Sequence, residues 1–245
     1  MHKIAIPRSV VDGAIAQRGR INRYERIVGP AAALVVIDLQ NVFMLPGMPV
    51  EVPVAREIIP NVNRLAMAFR AAGGKVVWVK MTLDGQQDSW STFFEGDRRQ
   101  EAFRAMQRGT HGHALHAQLE VKPNDLVIEK HRYSAFIQGA SNIDPILRGL
   151  GIDTVVIVGT LTNVCCESSA RDAMMLNYKV VFVSDANAAL SDEEHNASLG
   201  TIMRVFGDVA STDEVIGRLV SDAETFPTLP QPVGEPAGRR LEPMP

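Results

Sequence analysis

The stretch Val155-Val-Ile-Val-Gly-Thr-Leu-Thr-Asn-Val-Cys165-Cys-Glu-Ser-Ser-Ala-Arg-Asp-Ala-Met-Met-Leu176 decides how the chain is read. Four apolar β-formers run without a polar break, a loop opens at Gly159, and after Cys165 the apolar positions return at helical spacing. Unbroken apolarity marks a strand covered on both faces, as in a parallel sheet, whereas a half-exposed strand alternates. The same signature recurs at Ala33 to Ile37, Val76 to Val79, Leu126 to Ile128 and Val180 to Val183, with amphipathic or loop material between. Strands alternating with helices at this spacing predict an α/β fold: three layers, α/β/α, around a mostly parallel, Rossmann-like central sheet.

The intervening segments fit that plan. Val54 to Ala72 carries Ile58, Ile59, Val62, Leu65, Ala66 and Phe69 at helical spacing and is stopped by Gly73-Gly74. Ser191 to Glu194 and Ser211 to Glu214 each read as a capping box, in which a Ser side chain and a Glu three residues on satisfy each other's free amides. Residues 31–226 are expected to form one domain, with residues 81–120 as a lid because that long region has no strong strand and holds Trp90, Phe93, Phe94 and Phe103. Residues 1–30 form an arm with Arg18, Arg20, Arg23 and Arg26, either a solvated face or a contact with a second subunit. Residues 227–245 hold six of the 14 prolines and are expected to be extended or disordered.

Composition excludes several classes of function. The 245 residues are 46% hydrophobic and 22% charged with a net charge of −3, enough for a full core and without the basic footprint of a nucleic-acid or lipid binder. The longest apolar runs, such as Ala31 to Ile37, fall far short of the ~20 residues that cross a bilayer. The first residues, Met-His-Lys-Ile-Ala-Ile-Pro-Arg, lack the apolar core of a secretory signal, so the cytoplasm is the expected address. The two cysteines, Cys165 and Cys166, are adjacent, which leaves no disulfide framework and no paired-cysteine zinc spacing.

Three strands end in polar residues: Asp38 after Val-Val-Ile, Lys130 after Val-Ile-Glu, and the Gly159 to Cys165 loop after Val-Val-Ile-Val. Ligands in open α/β sheets bind at the carboxyl ends of strands, so three such ends on one edge predict a site, although polar strand ends also serve solvation alone. Cys165 opens a helix, where the macrodipole and free amides favour thiolate; Lys130 favours it further, and Asp38 supplies a carboxylate to take the proton. A cysteine at a helix start also serves as a small core residue, the role assigned to Cys166, whose side chain points about 100° round the helix. His111, His113 and His116 match no helical metal-ligand pair and read as a solvated loop.

Taken in order, Ala-Leu-Val-Val-Ile-Asp38-Leu-Gln-Asn-Val-Phe, Glu-Lys130-His-Arg-Tyr-Ser-Ala-Phe, Val-Gly159-Thr-Leu-Thr-Asn-Val-Cys165-Cys-Glu-Ser-Ser-Ala-Arg-Asp-Ala and Tyr-Lys-Val-Val-Phe-Val-Ser-Asp185-Ala resemble the isochorismatase-like cysteine hydrolases, over roughly Ala31 to Ala210. The resemblance implies a triad of Asp38, Lys130 and Cys165, a non-proline cis peptide at Thr160–Leu161, and an oxyanion hole from the Leu161 and Cys165 amides. Isochorismatases proper, which open a vinyl ether, lack a cysteine at the nucleophile position; Cys165 therefore points to the amidohydrolase branch. Nicotinamidases carry metal-binding histidines soon after the first motif, but here the first histidine after Asp38 is His111, so no metal or other cofactor is expected. The Lys-His-Arg-Tyr-Ser-Ala-Phe stretch is most similar to the ureidoacrylate and carbamoyl amidohydrolases.

The expected activity is hydrolysis of a C–N bond in a small amide, ureido or carbamoyl substrate through a thioester. Alternatives are a vinyl-ether or ester hydrolase of the same fold and a redox or binding protein using the vicinal thiols of Cys165 and Cys166. Gln40, Asn41, Trp90, Phe94, Tyr133, Phe136 and Thr162 are the candidate substrate contacts, with orientation of the base or a strand-end cap as the other role for Gln40 and Asn41 and a plain core role for the four aromatics; Arg171 and Asp185 are read as a structural ion pair. A homo-oligomer, dimer or tetramer, is expected from the resemblance, with neither nucleic acid nor membrane as partner.

Overall fold

Six apolar segments pair side by side into one sheet in which every pairing is parallel. The structure, a computed structural model, describes residues 1–85 and 97–221. In chain order the strands are β1 (Ile27–Val28), β2 (Ala32–Ile37), β3 (Lys75–Met81), β4 (Leu126–Lys130), β5 (Thr154–Thr160), β6 (Lys179–Ala188), β7 (Asp208–Ala210) and β8 (Leu219–Val220). The helices are α1 (Arg8–Arg18), α2 (Asn41–Met44), α3 (Ile59–Ala71), α4 (Asp97–Ala105), α5 (Ile143–Gly149), α6 (Glu167–Met175), α7 (Asp192–Thr201) and α8 (Thr212–Arg218). The main sheet runs β4-β3-β2-β5-β6-β7, and β1 pairs with β8 apart from it.

All six residues of β2 and all seven of β5 are buried, which accounts for their unbroken apolar runs. The chain lays β2, β3 and β4 outward in one direction, then returns to place β5 on the other side of β2. That reversal makes the carboxyl ends of β2 and β5 the topological switch point, the place where such sheets open a crevice.

The two central strands approach closely at Gly159. It pairs with Ile37, takes φ 126°, and marks a register shift between β5 and β6. A Cβ built on Gly159 would fall onto the Ile37 carbonyl, one residue before Asp38. Gly159→Ala therefore combines overlap against rigid backbone with a left-handed φ, at a cost of about 3 kcal/mol or more. Urea unfolding checks this; a loss under about 1 kcal/mol would show that the strands can part there without cost.

The helix expected from Val54 starts later. Residues Pro53–Arg56 form a separate tight turn, and α3 begins at Ile59 with Pro60 in its first turn. Pro60 has no amide to bond backward, so it can open a helix but not lie within one continuous from Val54. From there Ile59, Val62, Leu65, Ala66 and Phe69 form the buried stripe against the sheet. Ser211 and Glu214 cap α8 reciprocally, whereas at α7 only Ser191 does so, accepting from the Glu194 amide.

The amino-terminal arm is anchored on the domain through Arg18, while Arg20, Arg23 and Arg26 are exposed. Arg18 pairs with the fully buried Asp208 and donates to the Met203 carbonyl, while the amides of Arg23 and Tyr24 complete the shell of Asp208. A buried carboxylate requires such partners, and the arm supplies all three. The proline-rich segment 227–245 lies outside the described residues. Among the described residues no helix is long and apolar enough to cross a membrane.

Candidate active site

Asp38 directly follows β2, Lys130 is the last residue of β4, and Cys165 lies in the turn after β5. The ends of β2 and β4 are not neighbours, because β3 runs between them. Lys130 bridges the gap by length: its side chain crosses the end of β3, with Nζ 3.9 Å from Met81 Sδ, and stops 2.8 Å from Asp38 Oδ2 and 3.5 Å from Cys165 Sγ. The Arg132 carbonyl accepts a fourth contact from Nζ at 3.1 Å. Asp38 and Lys130 are fully buried and Cys165 is 5% exposed.

Asp38 is turned toward the sheet edge by a left-handed backbone, φ 54°, while its amide donates to the Val79 carbonyl of the neighbouring strand. Short polar side chains tolerate this conformation best among non-glycine residues. The lysine pairs with Oδ2 as an ion pair, and among the described residues neither carboxylate oxygen receives a hydrogen bond of regular geometry. The carboxylate is thus charge-compensated and still able to accept a proton.

Burial pushes the Asp38 carboxyl above the usual range, against the opposing pull of Lys130. Burial works against the Lys130 ammonium, but Asp38 and Cys165 outweigh it, and the lysine stays charged to higher pH than an ordinary lysine. Burial also pushes the Cys165 thiol well above its usual range, Lys130 only partly offsetting it. The thiol therefore needs the base that Asp38 supplies. Residues Thr162–Cys166 form a wide π-type turn, α6 begins only at Glu167, and desolvation of the sulfur outweighs the field at the helix start. Cys166 is fully buried, as its packing role requires.

The Thr160–Leu161 peptide is cis. The Leu161 carbonyl accepts from the amides of Val164 and Cys166, and the Leu161 amide donates to no acceptor among the described residues. A fixed N–H with no partner in the fold is what a developing oxyanion requires.

Several expected substrate contacts have other occupations. Gln40 is fully buried, donating to the carbonyls of Met81 and His113 and accepting from the Met81 amide. Asn41 donates to the His111 carbonyl. Together they clip the 111–116 segment onto the strand ends, and the Gln40 amide is used up within the fold. Phe136 is buried and packs on Tyr178, ring centroids 5.6 Å apart, and Tyr133 packs against the core. Thr162 is buried and places its hydroxyl on His195. Trp90 and Phe94 lie outside the described residues.

Arg171 and Asp185 do not pair. Arg171 bonds Glu167 one turn back on α6, as i,i+4 spacing allows, and Asp185 caps α8 by accepting from the amide and hydroxyl of Thr212. His113 is buried with Nε2 2.8 Å from Thr82 Oγ1, and His116 accepts from the Gln118 amide, so two of the three lid-region histidines have partners within the fold. Among the described residues no group of three or more His, Cys, Asp or Glu side chains is arranged to hold a metal ion. His195 and Ser198, which hold the nucleophile turn from α7, were not legible in the sequence; the only signal is polar residues at i and i+3 beside the apolar Leu199.

The isochorismatase domain matches residues 32–214 of the chain. The ureidoacrylate amidohydrolase RutB of Agrobacterium fabrum is 32% identical over 203 residues, which is 76% of this chain and 88% of that protein. A cysteine hydrolase from Pseudomonas syringae superposes with a TM-score of 0.71 at 29% identity, covering 82% of this chain and 97% of its own. N-carbamoylsarcosine amidase from Thermoplasma acidophilum gives a TM-score of 0.60 at 30% identity, covering 74% of this chain and 96% of its own.

Proposed function

The chain belongs to the isochorismatase family of hydrolases, and we propose that it cleaves a C–N bond in a small amide, ureido or carbamoyl substrate with Cys165 as nucleophile. The observation that carries this reading is Lys130 Nζ, held 2.8 Å from Asp38 Oδ2 and 3.5 Å from Cys165 Sγ out of contact with bulk water. The names of two similar proteins, a ureidoacrylate amidohydrolase and an N-carbamoylsarcosine amidase, support the substrate class.

At rest the site holds a Lys130 ammonium, an Asp38 carboxylate and a neutral Cys165 thiol. The upward shift of Asp38 makes it a stronger base than an exposed aspartate, so it takes the thiol proton as sulfur attacks the substrate carbonyl. Lys130 compensates whichever of the two groups carries the negative charge, and so keeps that charge within one ion pair during the transfer. The oxyanion is received by the backbone amides of Leu161 and Cys165. Asp38 returns the proton to the leaving nitrogen, and the acyl group stays on Sγ as a thioester. Water then gives a proton to Asp38 while attacking the thioester; sulfur leaves and recovers that proton.

The test is ammonia release from a panel of small amides, ureido acids and carbamoyl amino acids, with intact-mass detection of the acyl-enzyme after rapid acid quench. The expected result is release accompanied by an adduct on Cys165. Turnover of a vinyl ether or ester, with no ammonia from any C–N substrate, would overturn it.

A further inference from the structure

Beside the nucleophile turn lies a histidine that the mechanism above does not use. His195, on α7, is fully buried. Its Nε2 is 2.9 Å from the Ser184 carbonyl of β6, and a carbonyl only accepts, so the proton sits on Nε2. The neutral ring is left with a bare Nδ1, which accepts at 2.9 Å from the Thr162 hydroxyl. One turn further along α7, Ser198 Oγ lies 3.3 Å from the Thr162 carbonyl and 2.6 Å from Glu167. Both polar ends of Thr162 are therefore held by one face of α7, and Thr162 directly follows Leu161, the residue whose amide the mechanism above assigns to the oxyanion.

A second imidazole keeps His195 in that state. His2 stacks on it with ring centroids 4.3 Å apart and planes within 20°. His2 is itself fixed: its Nε2 accepts from the Ala189 amide, so its Nδ1 carries the proton donated to Asp192. Burial, with His2 alongside, lowers the pKa of His195 to about 4, so Nδ1 remains an acceptor across the neutral range.

We propose that His195 is a positioning residue that acts through Thr162 to aim the Leu161 amide at the substrate oxygen, with His2 closing over it. This rests on the thiol reading of the preceding section. It predicts that chemistry passing through an oxyanion needs His195, whereas chemistry at the same sulfur without an oxyanion does not.

Two probes separate these cases. With p-nitrophenyl acetate the sulfur–carbon bond forms, the thiol proton passes to Asp38, and p-nitrophenolate leaves through an oxyanion intermediate. With iodoacetamide the same sulfur displaces iodide and no oxyanion forms. His195→Ala and Thr162→Val are each expected to slow the acylation burst by about 10² while alkylation stays within about threefold. The double variant is expected to be no slower than either single one, because both remove one interaction. His195→Asn, whose amide oxygen stands near the place of Nδ1, is expected to recover most of the burst rate and keeps the test open if the alanine variant does not fold. Equal slowing of both probes would make His195 a general structural residue, and slowing of neither would leave it no role in the turn; either overturns the proposal. A burst that is missing in the unaltered protein, or survives Cys165→Ala, would instead overturn the thiol reading and the proposal with it.

Discussion

Cys165→Ala is expected to lower ammonia release by at least about 10⁴-fold, and Cys166→Ala to leave it within about threefold. Removing a covalent nucleophile costs about as much as removing its whole catalytic group, because base and charge partner have nothing left to act on. The two thiols are adjacent in the chain but differ in environment. Cys165 Sγ lies 3.5 Å from the Lys130 ammonium and in contact with Asp38, whereas Cys166 is wholly enclosed in the apolar core. Its thiol is pushed well above the usual range chiefly by burial, so it offers neither proton transfer nor access. Iodoacetamide labelling followed by peptide mapping gives the matching chemical result, with modification at Cys165 and none at Cys166 in the folded protein. Comparable losses in both variants would mean that the pair acts together, as a vicinal dithiol does. Thermal melts keep this clean: neither substitution removes more than one buried sulfur, and both proteins are expected to fold.

The division between what the sequence disclosed and what it concealed follows the range of the interactions. The five long strands were legible because a strand buried on both faces leaves an unbroken apolar run, and their parallel order follows from the helices between them. β7 was not, because its three residues carry no period, and its place depends on Asp208 collecting three donors from the arm. In the arm, Arg20, Arg23 and Arg26 are exposed, and only the inward turn of Arg18 is hidden from the sequence, since nothing local to it reports a carboxylate 190 residues away. At the site, the residue types at the strand ends were legible, but not that Lys130 has to cross β3 to reach Asp38. The bonds of Gln40 and Asn41 are hidden from the sequence for a related reason. A polar residue beside a candidate base looks like a substrate contact until the carbonyls of Met81, His111 and His113 are found to occupy it. A helix start is visible in the sequence, but the loss of water around the Cys165 sulfur, which pushes its thiol upward, is not.

Lys130→Met is expected to move the acid limb of kcat/KM to higher pH and to make the loss of stability grow as pH rises. Methionine keeps most of the length and apolar volume of the lysine but removes the charge, leaving Asp38 buried without its partner. In the unaltered protein burial raises the Asp38 pKa and Lys130 pulls it back; without Lys130 only burial acts, and the pKa climbs further. Catalysis requires the ionised carboxylate, so the pH below which activity fails rises by the same amount. The stability effect has the opposite sign from that of an ordinary salt-bridged aspartate. A carboxyl raised in the folded state favours the protonated form, so its penalty is absent below the unfolded value of about 3.9 and accumulates until the folded pKa is passed, at about 1.4 kcal/mol per unit. Lys130, by contrast, is raised in the folded state, so its own contribution is complete below the ordinary lysine range and is lost only as pH passes its folded value. The variant's deficit therefore widens from acid toward neutral pH, approaching the roughly 3–5 kcal/mol typical of breaking a buried pair. Urea unfolding at pH 5 and pH 8, alongside the pH profile of ammonia release, reads both effects. A deficit that is constant with pH, with an unmoved acid limb, would mean that the lysine fills space beside Asp38 and does not tune it.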